Sequence, residues 1–318
     1  ITYNEKEYEE KAFTLLRGEF SFVLYDTQNK CIYAVRDRFG IKPLYVYRDG
    51  DSWCFGSEAK SIFASGVTYP KIDPAAVRSL LAGVVGDSIF RGISSIPPGH
   101  FLRISLNEGT DTLTEYWKLP SVAQRTGGYA ITASQAALLV REAVIKSVTT
   151  RLQSEVPVGL YLSGGLDSSI IASILAKTTP STQEIRAYTI TFPDGKGFDE
   201  TKIAKTTADF YGINLNTVQC DQETLISNLE ESLWHSEVPL SNLHSVAKFI
   251  LAKRARKDVK VVLTGEGADE TFLGYSYFRE GNSGIASQMD NKLTKKSTKR
   301  RQRNSRVERE LGYAPIVE

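Results

Sequence analysis

The segment Val158-Gly159-Leu160-Tyr161-Leu162-Ser163-Gly164-Gly165-Leu166-Asp167-Ser168-Ser169 constrains this chain more than any other. Val158–Leu162 reads as a buried strand without polar alternation. Ile170, Ile171, Ile174 and Leu175 then recur at helical spacing. A strand, a glycine loop and a helix in that order open a parallel βαβ unit. Gly164 and Gly165 lack Cβ, so the backbone can approach a bulky anion. The following helix offers unpaired N–H groups and the positive end of its dipole. Ser163, Ser168 and Ser169 add hydroxyl donors. Asp167 repels phosphate unless a cation intervenes, so it implies Mg²⁺. The Gly-Lys-Ser/Thr ending of a Walker A loop is missing. That favours binding of the β,γ-pyrophosphate as a leaving group over transfer of the γ-phosphate. The plainer alternative, a serine-rich turn capping a helix, does not account for the strand, loop and helix occurring in this order.

The same grammar continues on both sides. A helix is expected over 134–152, burying Leu139, Val140, Ala143, Val144 and Val148. Ala187–Phe192 and Val259–Leu263 are further apolar runs separated by helical stretches, which predicts a parallel sheet covered on both faces. The last run ends in Thr264-Gly265-Glu266-Gly267-Ala268-Asp269-Glu270. Ligands of open α/β sheets bind along the carboxyl rim of the strands, so two loops are expected to face one pocket. Thr264 and Gly265 suit the nucleotide, and Glu266 and Asp269 suit Mg²⁺ or an incoming amine.

The first part reads differently. Glu19–Tyr25, Cys31–Val35, Leu44–Tyr47 and Trp53–Phe55 are short strands with hairpin punctuation, the pattern of antiparallel sheet. Asp73-Pro74 starts a helix, and Pro97-Pro98-Gly99 leads into two strands ending near Trp117. The expected division is a first domain over 1–118, a linker over 119–133, a second domain over 134–281 and a basic tail over 282–318. A solvated tail is favoured over a nucleic-acid or nuclear-targeting role. The net charge of +2 makes no case for nucleic acid, and no run of 18 apolar residues suggests a membrane span. Cys31, Cys54 and Cys220 form no disulfide or zinc pattern, which fits small buried hydrophobes in a cytoplasmic protein.

At the two loops the chain resembles the glutamine-hydrolysing asparagine synthetase family. Arg36-Asp37-Arg38-Phe39-Gly40-Ile41-Lys42-Pro43-Leu44-Tyr45 and Gly56-Ser57-Glu58-Ala59-Lys60 are similar to the late part of that family's class II glutamine amidotransferase domain. The resemblance covers about residues 12–280. It implies an α+β part followed by an α/β part. The former is a partial antiparallel sheet domain like an N-terminal-nucleophile hydrolase; the latter is a parallel-sheet, Rossmann-like ATP-pyrophosphatase domain. It also implies ATP and Mg²⁺, with L-aspartate and L-glutamine or ammonia as partners, and leaves a homodimer open. By resemblance, Ser163, Gly164, Gly165, Asp167, Ser168 and Ser169 hold pyrophosphate. Tyr161, Leu162, Ile190, Thr264 and Gly265 border the nucleotide. Glu266 and Asp269 are the catalytic carboxylates, with Asp167 and Asp269 on the Mg²⁺ side. The implied reaction is ATP-dependent synthesis of L-asparagine through β-aspartyl-AMP. Two alternatives stay open: a β-lactam or natural-product amide synthetase, or a non-catalytic nucleotide-binding remnant.

The family's amidotransferase nucleophile is an N-terminal cysteine, whereas here Ile1 comes first and Cys31 is the earliest cysteine. The family's C-terminal helical part with its late lysine is also missing, so the chain reads as a fragment, a truncated gene model or a decayed copy. An N-terminal thiol nucleophile needs its own free amine as base. The polypeptide as given is therefore expected to release no glutamate from glutamine. A glutaminase assay on purified protein tests this, and release above the buffer background would overturn it. Trp234-His235-Ser236-Glu237-Val238-Pro239 resembles another family segment; Glu237 beside a substrate amine and a plain helix stop at Pro239 are equally weighted.

Overall fold

The computed structural model describes residues 9–81, 88–119, 131–179, 184–193, 200–240, 242–272 and 274. The chain divides into two compact units, one spanning Ile1–Gly128 with Glu237–Pro239, the other Tyr129–Ser236 with Leu240–Glu310. Most of the expected linker, residues 120–130, and the whole expected basic tail lie outside the described residues.

In the first unit a short 3₁₀ turn, Glu9–Lys11, runs into α1 (Ala12–Leu15). The strands β1 (Ser21–Asp26) and β2 (Cys31–Arg36) form a hairpin. The strands β3 (Tyr45–Asp49) and β4 (Ser52–Gly56) form a second. Two helices, α2 (Ala59–Ala64) and α3 (Pro74–Leu81), precede β5 (Ile93–Ser95), β6 (His100–Ser105) and β7 (Thr110–Glu115). They build two antiparallel sheets, ordered β1-β2-β6-β7 and β4-β3-β5. Strand alternation places Ala34, Leu102 and Ile104 on one face, packed with Leu44, Ile96, Val46, Trp53 and Phe55. The opposite face holds Val35 and Phe101 against Phe13. Cys31 is buried, as its apolar neighbours led one to expect, whereas Cys54 is only half-buried.

The Arg36–Tyr45 segment is a loop that satisfies its own polar groups. Asp37 is 1 % exposed, and its carboxylate accepts the N–H groups of Phe39, Ile41 and Lys42. Arg36 donates to the carbonyls of Gly40, Lys42 and Ile96. A buried carboxylate with three N–H donors offsets its lost hydration. The same unit takes in Glu237, whose carboxylate accepts the N–H groups of Ala59 and Lys60, each at 2.7 Å. That occupies Glu237 with backbone donors.

The second unit begins with α4 (Ala133–Arg151), opened by a capping box between Thr132 and Gln135. There follow β8 (Val158–Tyr161), α5 (Leu166–Thr178), β9 (Arg186–Thr191), α6 (Thr201–Tyr211) and β10 (Asn214–Gln219). Three helices, α7 (Gln222–Ser227), α8 (Leu229–Ser236) and α9 (His244–Ala255), lead to β11 (Val261–Leu263) and the short α10 (Ala268–Phe272). All pairings are parallel, in the order β10-β9-β8-β11. The α/β part of the expected fold class is thus this sheet, and the α+β part is the pair of antiparallel sheets.

Both faces of the parallel sheet are covered. Leu160, Leu162 and Ala187 point to one side with Ala172, Leu175, Ala204 and Ala208 from α5 and α6. Tyr188 points to the other, against Leu251 and Ala255 of α9. Burying a leucine such as Leu160 completely contributes about 1.5–3 kcal/mol. One expectation needs correction. In α4 only Val148 is buried, and Val144 packs beside it, while Leu139, Val140 and Ala143 are exposed. Apolar residues ring this helix, and one sheet-facing stripe cannot bury them all. β10, Asn-Leu-Asn-Thr-Val-Gln, is too polar to announce a strand by its pattern. It sits at the sheet edge, where polar side chains are tolerated.

Candidate functional site

Sheet order builds the site. From β8 the chain winds through β9 to β10 on one side, then returns to place β11 on the other side of β8. The order reverses between β8 and β11, the place in such sheets where ligands bind beyond the carboxyl ends of the strands. The loop after β8 is Leu162–Gly165, and the loop after β11 is Thr264–Gly267. Both expected loops therefore come from adjacent strands. Gly265 fixes how closely they approach, since a Cβ there would lie 2.9 Å from the Asp167 Cβ and 3.2 Å from the Ser168 nitrogen.

The first loop is held by its own backbone. Gly164 has φ +92°, and a Cβ on it would meet the Ala204 nitrogen at 2.9 Å. The loop thus leans on the first turn of α6, a contact with no signal in the sequence. Gly165 caps α5 without any side-chain cap bond, leaving the helix's first N–H groups available to an anion. The serines differ from a simple row of outward donors. Ser163 Oγ accepts the Gly165 N–H and lies 3.1 Å from Ser168 Oγ. The hydroxyls of Ser168 and Ser169 both donate to the Gly165 carbonyl, and Ser168 is buried. They shape the loop and leave the first N–H groups of α5 uncapped.

The other expected residues are placed as follows. Tyr161 ends β8 and packs with Ile190 of β9 on the α9 side of the sheet. Burial pushes the Tyr161 phenol upward. Leu162 is fully buried and donates its N–H to the Tyr188 carbonyl. The Ile190 carbonyl accepts from Thr201 at 3.4 Å. Thr264 and Gly265 are half-buried between β11 and α10. Gly267 has φ +88°, which turns the second loop sharply and leaves Glu266 exposed at its tip. Lys248 of α9 reaches that tip, with Nζ 2.6 Å from Glu266 Oε1. Sequence reasoning passed over Lys248, because 18 residues and a helix-to-strand turn separate the partners. His235 stacks on Phe249, and His244 opens α9, with neither at the loops. Tyr275 and Tyr277, which follow the second loop in the chain, lie outside the described residues.

Asp167 and Asp269 face each other across the loops. Desolvation raises the Asp167 carboxyl above its ordinary value of 3.8, and the Asp269 charge adds to the rise. Among the described residues no group of three or more His, Cys, Asp or Glu forms a metal cage. Two carboxylates fit Mg²⁺ nonetheless, since that ion takes one or two together with phosphate oxygens and water. The pair also makes a test. A raised carboxyl binds its proton to higher pH when folded than when unfolded, so stability falls as pH rises from 3.8 through the folded value. Above the folded value the ionised Asp167 is a net burden. Asp269→Asn is therefore expected to raise the melting temperature of the ligand-free protein at pH 7, the difference fading below pH 3.8. A lower or equal melting temperature at pH 7 would contradict it.

The family model described as asparagine synthase matches residues 139–315, more than half of the chain. The chain belongs to the asparagine synthase family. Residues 3–117 match the model of a glutamine amidotransferase domain. Among proteins similar in sequence, "Amidase chry2" of Gibberella zeae is 35% identical over 286 residues, covering 86% of this chain and 42% of that protein. "Amidase chyE" of Penicillium rubens is 34% identical, with the same coverage of 86% and 42%. "Asparagine synthetase [glutamine-hydrolyzing] 1" of Bacillus subtilis is 32% identical over 278 residues, covering 86% of the chain and 42% of that protein. The chain thus spans less than half the length of the curated relatives it matches.

Proposed function

We propose that the second unit is the adenylating part of an ATP-dependent amide-forming ligase. One observation carries the reading: two glycine loops, one phosphate-binding in type and one acidic, meet where the sheet order reverses. A carboxylate oxygen of the acceptor attacks the α-phosphorus of ATP, and the bond from that phosphorus to the bridging oxygen of pyrophosphate breaks. Ammonia then attacks the acyl carbon, AMP leaves, and the nitrogen loses a proton. The loop after β8 would receive pyrophosphate on the uncapped N–H groups in the first turn of α5. Mg²⁺ held by Asp167 and Asp269 would neutralise the phosphate oxygens. Glu266 stands at the rim, where acceptor and amine meet. Placement and charge stabilisation are the protein's main contribution to such a reaction.

The proposed acceptor is L-aspartate, with ammonia from L-glutamine, in the cytoplasm. Asparagine synthase family membership and the amidotransferase match support this reading. A second reading, a different carboxylic acid acceptor, is supported by the two relatives named amidases. Acid-dependent ATP–pyrophosphate exchange tests both, with L-aspartate in one arm and a panel of other carboxylic acids in the second. Strand backbone near Ile190 and Thr264 lines the adenine side in this reading, so GTP is expected to bind at least about tenfold more weakly than ATP, about one lost hydrogen bond. Failure of every acid to support exchange, together with no calorimetric ATP binding, would defeat the reading. Equal affinity for GTP would defeat its adenine part.

A further inference from the structure

We propose that Lys248 is a positioning residue for Glu266, aiming its carboxylate at the rim of the two loops and holding it apart from Asp167 and Asp269. The proposal rests on the functional reading above and adds a residue to it.

Asp167 lies in the first turn of α5 and Asp269 in the first turn of α10, with Gly265 set closely against Asp167 and Glu266 next to it in the chain. A third carboxylate collapsing onto this pair would add to the repulsion. Glu266 instead meets an ammonium, with Lys248 Nζ at 2.6 Å from Oε1. Its other oxygen, Oε2, makes no hydrogen bond among the described residues, so it is the one presented to an acceptor or amine.

Both ends of the pair are anchored. Lys248 lies between Val246 and Ala247 on one side and Ile250 and Leu251 on the other, all buried in the cover of the sheet. Its Cα is therefore as fixed as the core. Glu266 lies between Gly265, wedged against Asp167, and Gly267 at φ +88°. Two rigid elements thus present two side chains that are themselves 66% and 68% exposed. Exposed pairs contribute little to folding. A contact this short between anchored partners serves to aim the carboxylate, and its removal is expected to leave the fold intact. A charge-assisted bond also constrains geometry more than a neutral one does.

The test is a double-mutant cycle in acid-dependent ATP–pyrophosphate exchange. Lys248→Met is expected to lower kcat about tenfold, the weight of one charge-assisted bond, with the KM for ATP within about twofold. Lys248→Arg should recover kcat to within about threefold, because the cation is restored. Lys248→Met combined with Glu266→Gln should be no slower than Glu266→Gln alone. Losses that multiply, or a rise in ATP KM that accounts for the whole loss, would overturn the proposal. If the wild-type chain shows no exchange, the functional reading fails first, and the pairing is read directly. Acetylation of the Lys248 amine by a limiting acyl ester should run at least about threefold faster in Glu266→Gln than in wild type, because the paired amine is held. Equal rates would overturn it.

Discussion

Glu266→Gln is expected to slow acid-dependent ATP–pyrophosphate exchange by a factor on the order of 100 or more while leaving ATP affinity nearly unchanged. The expectation follows from where the carboxylate sits. The neighbouring Gly265 touches the phosphate loop, while Glu266 itself projects from the loop tip beside Lys248. A negative charge there gives nothing to bound ATP, whose phosphates it repels. It can help only once positive charge or a proton has to be accommodated during the reaction. A group placed for the reacting state affects rate more than ground-state binding. Removing a comparable preorganised group commonly costs about 2.7–4 kcal/mol of barrier. Glutamine keeps the size and removes the charge. Exchange kinetics and calorimetry on the same preparation separate the two quantities. Normal exchange in the variant would make Glu266 a solvated turn residue, and a parallel loss of ATP affinity would make it a binding residue.

Gly164→Ala is expected to lower the stability of the protein by about 2 kcal/mol and to abolish measurable ATP binding. At φ +92° an L side chain is strained wherever it points. Space is also missing, since the added Cβ would stand 2.9 Å from the Ala204 nitrogen, 3.0 Å from the Ile203 Cβ and 3.1 Å from the Glu200 carbonyl oxygen. Those atoms are mostly backbone at the start of α6, so they can yield only if the helix shifts. Such a shift would carry the phosphate loop away from Gly265 and the second loop. For a unit of this size, about 2 kcal/mol corresponds to a melting point lower by roughly 4–8 °C. Differential scanning calorimetry reads the shift directly. An unchanged melting point with intact ATP binding would show that the loop does not depend on its contact with α6.

The elements nearest the chemistry are legible in local sequence. Ser163–Ser169 reads as a loop between strand and helix because glycines, caps and apolar spacing act within a dozen residues. The antiparallel hairpins of the first unit were legible for the same reason, since turns and two-residue alternation are local. The edge strand β10 was not, because its stability comes from pairing with β9 and not from its own composition. The exposed side of α4 was not legible either, because which stripe of an apolar helix is buried depends on its neighbour.

That β11 lies beside β8 follows from long-range packing alone. Strand order depends on how the crossing helices pack on both faces of the sheet, and no local pattern encodes it. With that order, Gly265 is set against Asp167, Asp269 comes close enough to raise the Asp167 carboxyl, and Lys248 reaches Glu266. The residue types at the site belong to the sequence, whereas their mutual distances come from long-range packing.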